Sequence, residues 1–501
     1  MSGRLQLEPH ATEVGRYETL QLTVTVTTSG IANPFADARL IGTFTCNSGT
    51  TKNVHGFCDS GDGTLWRVRF CPSEIGAYRF ALQYQDACMG EYVVGNFVCH
   101  ASRAPGFVRI DPEHPYHFIH DDGTHPFLAG KTAWRLGCSP YWREFINQAV
   151  AYRMNVLRVG VEFPPAFGDL PGGDCWPWAG TRASPDFSRF NLAPWQHWDE
   201  VIQYAAEQGR LIEPCVFTEI ARVRPSPPIP DTEMERYWDY LIARWAAYPN
   251  VLLWELFNEF TDLPDYQAYM ARYFKRHDPY GRLVTTSGLQ VGEIPFPKEN
   301  WNELIVPHFC VGSWHHLHGF YHDWARKLHT FGKPVYVDET GRAIVGQSNT
   351  DGSHRRKQYW IWAMAGDYCN YHSEGGCYVN LTLEPGEEFW PPFVNFWETT
   401  RWWEMIPADE RISAAPPGVL AAYCLWSPAE TIVHVYTKAS GADVPPGALA
   451  LRLDGGHYRL RFYRPASGCW DDGSIVEHTG DTLTIACPAF RDDLVIHFDK
   501  V

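Results

Sequence analysis

Two kinds of apolar pattern divide the chain. Up to about residue 105, apolar and polar positions alternate in LQLTVTV, RLIGTFT, LWRVRF, YRFALQY and GNFVCH, with turn signals every eight to twelve residues. Successive side chains of a strand point to opposite faces, so this segment reads as a β-sandwich. From about 112 to 405 the alternation gives way to short, wholly apolar runs separated by helical stretches. That is the pattern of β/α units, whose parallel strands are buried on both faces. Strands one to eight are expected in PFLAGKTAW, MNVLRVGV, LIEPCVF, VLLWELF, LVTTSGL, FCVGSWHH, PVYVDE and GGCYVNL. WQHWDEVIQYAAEQG and TEMERYWDYLIARWAAYPN are expected as helices. After Pro407 the alternation returns in VLAAYCLW, TIVHVYT, ALALRL, YRLRFYRPASG, LTIACP and DLVIHF. The expected fold class is α/β: a (β/α)8 TIM barrel over 112–405, flanked by N-terminal and C-terminal β-sandwich domains at 1–105 and 412–501.

Length agrees, since 501 residues exceed what one compact core holds. A formal charge of −16 argues against a nucleic-acid partner, which needs clustered Lys and Arg. No run approaches the roughly eighteen apolar residues of a membrane span, so no membrane partner is expected. MSGRLQLEPH has no apolar leader. The expectation is a cytoplasmic protein, or a secreted one whose leader lies outside this sequence. Fourteen cysteines occur without a C-x-x-C pair and read as buried, reduced thiols. Eighteen of the 21 tryptophans fall between Trp134 and Trp403, so the middle segment differs from its flanks. Indole rings stack on the C–H faces of sugars, although buried Trp is also ordinary core. Oligomeric state is left open, homo-oligomers included.

Chemistry concentrates at two strand ends. WELFNEF ends in Glu259 and KPVYVDETG carries Glu339. A retaining glycosidase needs two carboxyls about 5–5.5 Å apart, one to protonate the leaving oxygen and one to attack the anomeric carbon. A barrel brings distant strand ends to one face, which makes such a pair from remote sequence. Strict alternation puts Glu255, Phe257 and Glu259 on one face of strand four and Asn258 on the other. It likewise lets only one of Asp338 and Glu339 point inward, Asp338 being the alternative nucleophile. Arg158 stands in the apolar run NVLRVGV, where an unpaired guanidinium is costly, so an anionic partner is required. Glu255 and Glu162 are candidates for it. His315 and His316 in GSWHHLHG project to opposite faces of strand six, so at most one enters a pocket. Adjacent strand residues do not readily share zinc, and no metal site and no cofactor is expected. Trp134, Trp176, Trp178, Glu219, Glu162 and Trp390 fall at strand ends or in the loops after them, as candidate substrate-binding residues or as plain packing. The long loop from Gly172 to Pro194 is expected to hold Trp176 and Trp178 as one wall of a closed pocket.

These motifs resemble clan A retaining glycoside hydrolases. Asn258–Glu259 and Glu339 match the acid/base on strand four and the nucleophile on strand seven. DFSRFNLAPWQHWDEVI and YWDYLIARWAAYPNVLLWELFNE resemble the apiosidase-like barrels related to the cellulase-like family five. NPFADARLIGTF, GFCDSGDGT and RVRFCPSEIGAYRF resemble an accessory sandwich found ahead of such barrels, with Cys58 where an aromatic is usual. YRLRFYRPASG resembles a C-terminal domain labelled collagen-binding in relatives. The resemblance implies a carbohydrate substrate, a glycosyl-enzyme intermediate and hydrolysis of a β-type bond; exo action on oligosaccharides is expected from the missing leader and from the loop that would close the pocket. It also implies that Asn258 bonds the sugar 2-OH, that Arg158 bonds the nucleophile, and that a His of strand six contacts nucleophile or substrate. Three alternatives remain: an inactive carbohydrate-binding scaffold, an endo-acting polysaccharide hydrolase, and a metal-dependent hydrolase built on the HHLH cluster.

Overall fold

The structure, a computed structural model, describes residues 4–27, 31–88, 90–162, 173–218, 231–288, 293–309, 322–340, 352–372 and 376–501. A parallel eight-stranded sheet lies at its centre: β1 (Ala129–Thr132), β2 (Val156–Gly160), β3 (Leu211–Phe217), β4 (Leu253–Phe257), β5 (Leu283–Thr285), β6 (His308–Phe309), β7 (Tyr336–Thr340) and β8 (Tyr368–Tyr371). The strands neighbour one another in the order β5-β4-β3-β2-β1-β8-β7-β6. Among the described residues β5 and β6 end the sheet without pairing to each other. Every residue of β2, β4 and β7 is buried, as expected for parallel strands covered on both faces.

Six helices of eight or more residues are described: α1 (Trp142–Ala151), α2 (Leu192–Glu207), α3 (Asp231–Trp245), α4 (Pro264–His277), α5 (Gly352–Met364) and α6 (Trp390–Trp397). The architecture is mixed α/β, and the period-two flanks are built of strands. Before residue 101, a four-stranded and a five-stranded sheet pack with Phe44 stacked on Phe70 at 4.0 Å. After residue 405, a seven-stranded sheet and the strands Ile412–Ala414, Gly447–Leu453 and Asp481–Cys487 enclose a separate apolar cluster that includes Leu449, Leu451 and Ile496.

Two expected elements differ. Strand eight is YCNY, not GGCYVNL, where Val379 and Leu381 take left-handed backbone (φ 63° and 64°) that cannot run in a strand. Strand six begins at His308, one residue before its expected start, and the remainder of that motif beyond Phe309 lies outside the described residues. The loop from Gly172 is not structureless either. Trp178–Thr181 and Ser184–Phe190 pair as an antiparallel hairpin ahead of α2.

Candidate active site

Arg158, in the middle of β2, organises the C-terminal end of the sheet. Its Nε lies 2.8 Å from Glu255 Oε2 and 2.9 Å from Asp338 Oδ2, and its Nη2 lies 2.5 Å from Glu255 Oε1. Nη1 lies 2.7 Å from Glu339 Oε1, and Nη2 also donates to Asn258 Oδ1 at 2.8 Å. The guanidinium sits over the Trp134 ring at 4.3 Å. A buried cation with three carboxylates is fully compensated, which is the condition for keeping it in an apolar strand. Glu162 is not among its partners; that carboxylate meets Arg182 at 3.3 Å instead.

Two expectations from strict alternation fail here. Asn258 and Glu255 both reach Arg158, because the strand ends at Phe257 and the chain turns at Glu259. Glu259 has φ 53°, a left-handed conformation that costs a non-glycine residue on the order of 1 kcal/mol and is typical of functional positions. Its amide donates to Ser287 Oγ at 3.1 Å. Asp338 and Glu339 likewise both face Arg158, because the pairing of β7 with β8 shifts register between Val337 and Thr340. An irregularity of this kind turns consecutive residues to one side.

His308 was not singled out from the sequence, yet it joins the two glutamates. Its Nδ1 lies 3.1 Å from Glu259 Oε1 and 3.6 Å from Glu339 Oε2, and its Nε2 lies 2.7 Å from Asp338 Oδ1. Burial opposes the charged ring, but Glu339, Asp338 and the hydrogen bond to Glu259 outweigh it and hold the His308 pKa well above the usual imidazole range. Carboxylate oxygens of Glu259 and Glu339 and a nitrogen of His308 all lie within 4.8 Å of one another. Such a trio has the donor types that could embrace a cation, the neutral imidazole being the form that would ligate it. His372 Nδ1 lies 3.7 Å from Glu339 Oε2. Behind them, burial, with Asp338 and Glu255 adding to it, raises the Glu213 carboxyl well above the carboxylate range. Asn370 Nδ2 donates to Glu213 Oε2 at 3.2 Å and the Tyr336 hydroxyl donates to Asn370 Oδ1 at 2.6 Å. A polar residue inside an apolar strand was the signal for Arg158. The same signal marks His308 in LIVPHF and Glu213 in LIEPCVF.

The other candidates separate. Trp134 belongs to the site through Arg158. Trp176 and Trp178 are buried in the base of the hairpin, edge to face at 4.9 Å, with Trp178 against Tyr237 of α3 at 4.8 Å. They are core, not a pocket wall. Trp390 is fully buried on α6 and stacks on Tyr359 at 4.7 Å, so no sugar reaches it. Glu219, His315 and His316 lie outside the described residues.

Residues 113–305 match a family model described as the apiosidase-like catalytic domain, and residues 13–85 match a domain of unknown function, DUF5060. No curated protein matches the chain. Among solved structures, a candidate glycoside hydrolase from Bacteroides vulgatus superposes with a TM-score of 0.78 at 17% identity, over 98% of this chain and 100% of that one. A glycoside hydrolase family 5 protein from the same species superposes at 0.62 and 14% identity, over 80% of this chain and 96% of that one. At these identities the likeness is one of fold. The apiosidase-like match contains Arg158, Glu255, Asn258 and Glu259 and stops before His308 and Glu339, so the pairing of the two glutamates rests on geometry.

Proposed function

We propose that the chain is a retaining glycoside hydrolase with Glu339 as nucleophile and Glu259 as acid/base. The observation that carries this reading is the approach of their carboxylate oxygens to within 4.8 Å. That closest approach is compatible with the carboxyl separation of about 5–5.5 Å at which one carboxylate attacks the anomeric carbon directly, whereas an inverting pair stands about 6.5–9.5 Å apart. The apiosidase-like match and the glycoside hydrolase names of the similar folds point the same way. We read the central sheet as a (β/α)8 barrel, with β5 and β6 adjoining, and the two period-two flanks as separate sandwich domains.

Arg158 holds Glu339 Oε1 and favours its ionised form, leaving Oε2 to attack. The new bond joins Oε2 to the anomeric carbon as the bond to the leaving oxygen breaks, and Glu259 supplies that oxygen with a proton. Glu259 then takes a proton from water, whose oxygen displaces Glu339. His308 is hydrogen-bonded through Nδ1 to Glu259 and lies at ion-pair distance from Asp338, which ties the acid/base to the carboxylates around Arg158. Asn258, whose Oδ1 accepts from Arg158, is proposed to bond the sugar 2-OH. No cofactor is required. The bond cleaved is proposed to be β-type and the substrate an oligosaccharide trimmed from its end.

A mechanism-based 2-fluoro glycoside is expected to label Glu339, and Glu339→Ala to abolish labelling. Labelling at Asp338 would overturn the assignment. Glu259→Ala is expected to lose about 10²–10⁴-fold on substrates with poor leaving groups, and azide is expected to restore turnover on activated aryl glycosides as the glycosyl azide.

A further inference from the structure

The left-handed turn at Glu259 is held from the neighbouring strand end. Ser287 stands just past the end of β5 and is fully buried. Its backbone brackets the turn: Ser287 N donates to the Phe257 carbonyl, and Phe260 N donates to the Ser287 carbonyl, each at 3.2 Å. Its hydroxyl reaches further. Oγ donates to Glu255 Oε1 at 2.7 Å, accepts from the Glu259 amide at 3.1 Å and lies 3.4 Å from Arg158 Nη2. The Phe257 carbonyl, at 3.4 Å, is a more distant acceptor. A serine hydroxyl has one hydrogen and two lone pairs. With the hydrogen on the Glu255 carboxylate, the Glu259 N–H takes one lone pair and the guanidinium faces the other. We propose that Ser287 is the positioning residue of the acid/base: its hydroxyl holds the Glu259 backbone in the left-handed turn and so sets where the carboxyl stands. The inference rests on Glu259 being the acid/base.

The turn needs such a partner. The ladder of β4 has ended at Phe257, and the Glu259 amide is satisfied by this side chain instead of a strand carbonyl. A non-glycine residue at φ 53° relaxes towards negative φ unless its surroundings hold it. A change of φ swings the whole side chain and takes Glu259 Oε1 from its place 3.1 Å from His308 Nδ1. Arg158 supplies the second reference point, because its Nη1 holds Glu339 Oε1 at 2.7 Å. Contacts thus run unbroken from the amide of one glutamate, through the Ser287 hydroxyl and the guanidinium, to the carboxylate of the other. Misplacement of a reacting group by about 1 Å can cost about 10²-fold. A serine that only satisfied the buried Glu255 carboxylate would affect folding and leave protonation of the departing oxygen alone.

The test compares wild type, Glu259→Ala and Ser287→Ala on two glycosides of a sugar that wild type hydrolyses, with 2,4-dinitrophenyl and 4-methoxyphenyl leaving groups. Dinitrophenolate leaves without a proton, so a displaced acid is felt with the poorer leaving group alone. Ser287→Ala is expected to lose roughly 10–10²-fold in kcat/KM on the methoxyphenyl glycoside and less than about threefold on the dinitrophenyl one. On the latter, kcat and KM should fall together as slow hydrolysis lets the glycosyl-enzyme accumulate. Ser287→Ala added to Glu259→Ala is expected to cost less than about twofold more, since the hydroxyl acts through that glutamate. Ser287→Cys, similar in size but a weak hydrogen-bonding group, should lie between wild type and Ser287→Ala. Equal losses on both glycosides, no loss on either, or a further loss of about tenfold in the Glu259→Ala background would overturn the proposal. The reading of Glu259 fails separately: Glu259→Ala itself would then show no dependence on the leaving group.

Discussion

At the scale of single residues, the site is a balance of charge around Arg158. Removing that guanidinium leaves Glu255, Asp338 and Glu339 buried without their shared cation. Arg158→Ala is expected to abolish turnover and to cost about 3–5 kcal/mol, as breaking a buried ion pair does. Thermal unfolding checks the second effect and aryl-glycoside hydrolysis the first. Arg158→Lys is expected to recover little, since one ammonium cannot hold three carboxylates in place of a planar fork. His308 gives the pH dependence. Its folded pKa is raised, so its contribution to stability is fully present below the unfolded value of about 6.5 and is lost as pH rises through the higher folded value. Unfolding midpoints measured from about pH 6 to pH 10 should fall for wild type and flatten for His308→Asn. A flat wild-type profile would mean that the ring is neutral and forms no ion pair with Asp338 and the two glutamates. Both glutamates and Arg158 were legible in the sequence because they stand at, or within, apolar strand runs. The company they keep was not, because a left-handed turn at Glu259 and a register shift in β7 decide which neighbours turn inward.

At the scale of elements, α5 shows why periodicity can fall silent. All thirteen of its residues are buried, including Arg355, Arg356 and Lys357, so no polar face distinguishes it. It is held between the central sheet and the C-terminal one: Trp362 Nε1 donates to Thr340 Oγ1 of β7 at 3.0 Å, while Arg356 pairs with Asp493 at 2.7 Å. Lys357 Nζ donates to the Thr437 and Ala439 carbonyls. The strand Glu430–Tyr436 is buried at every position, with the C-terminal apolar cluster on one face and α5 on the other. Burial opposes the charge of Asp493, yet Arg356, with His434 Nε2 3.6 Å away, brings its pKa down to about 2. A depressed carboxylate adds stability above its unfolded value near 3.9 and loses it as pH falls through the folded one, here roughly 3 kcal/mol. Asp493→Asn should therefore lower the midpoint at neutral pH and weaken its fall between about pH 4 and pH 2. If the variant and wild type lose stability in parallel over that range, Asp493 is not the group that titrates.

At the scale of the whole molecule, the order of period-two, period-mixed and period-two segments made the succession of architectures readable, while the contacts between them join residues too far apart in sequence to pair by inspection. The N-terminal sheets are not loosely appended. Arg69, on the strand Leu65–Phe70, makes a bidentate pair with Asp199 of α2 at 2.6 and 2.8 Å. Arg244 of α3 meets the same Asp199 and also Asp59 of the N-terminal segment, the latter at 2.8 Å. Thr19 Oγ1 donates to the Ala247 carbonyl, Tyr240 OH to the Cys58 carbonyl, and Lys52 Nζ to the Pro279 carbonyl, all within 2.9 Å. Two guanidiniums and two carboxylates buried across one boundary are stable only together, because removing one leaves another uncompensated. Arg69→Ala is accordingly expected to destabilise the central α/β unit and the N-terminal sheets alike, by about 3–5 kcal/mol. Calorimetry should show one transition shifted to lower temperature. An appended sandwich would behave otherwise: its own transition would move while that of the central unit, followed by residual hydrolysis after heating, stayed where it is in wild type. Arg69→Lys separates charge from geometry, since a lysine keeps the charge but not the two parallel hydrogen bonds to Asp199. A midpoint between those of wild type and Arg69→Ala would show that both contribute to the joint.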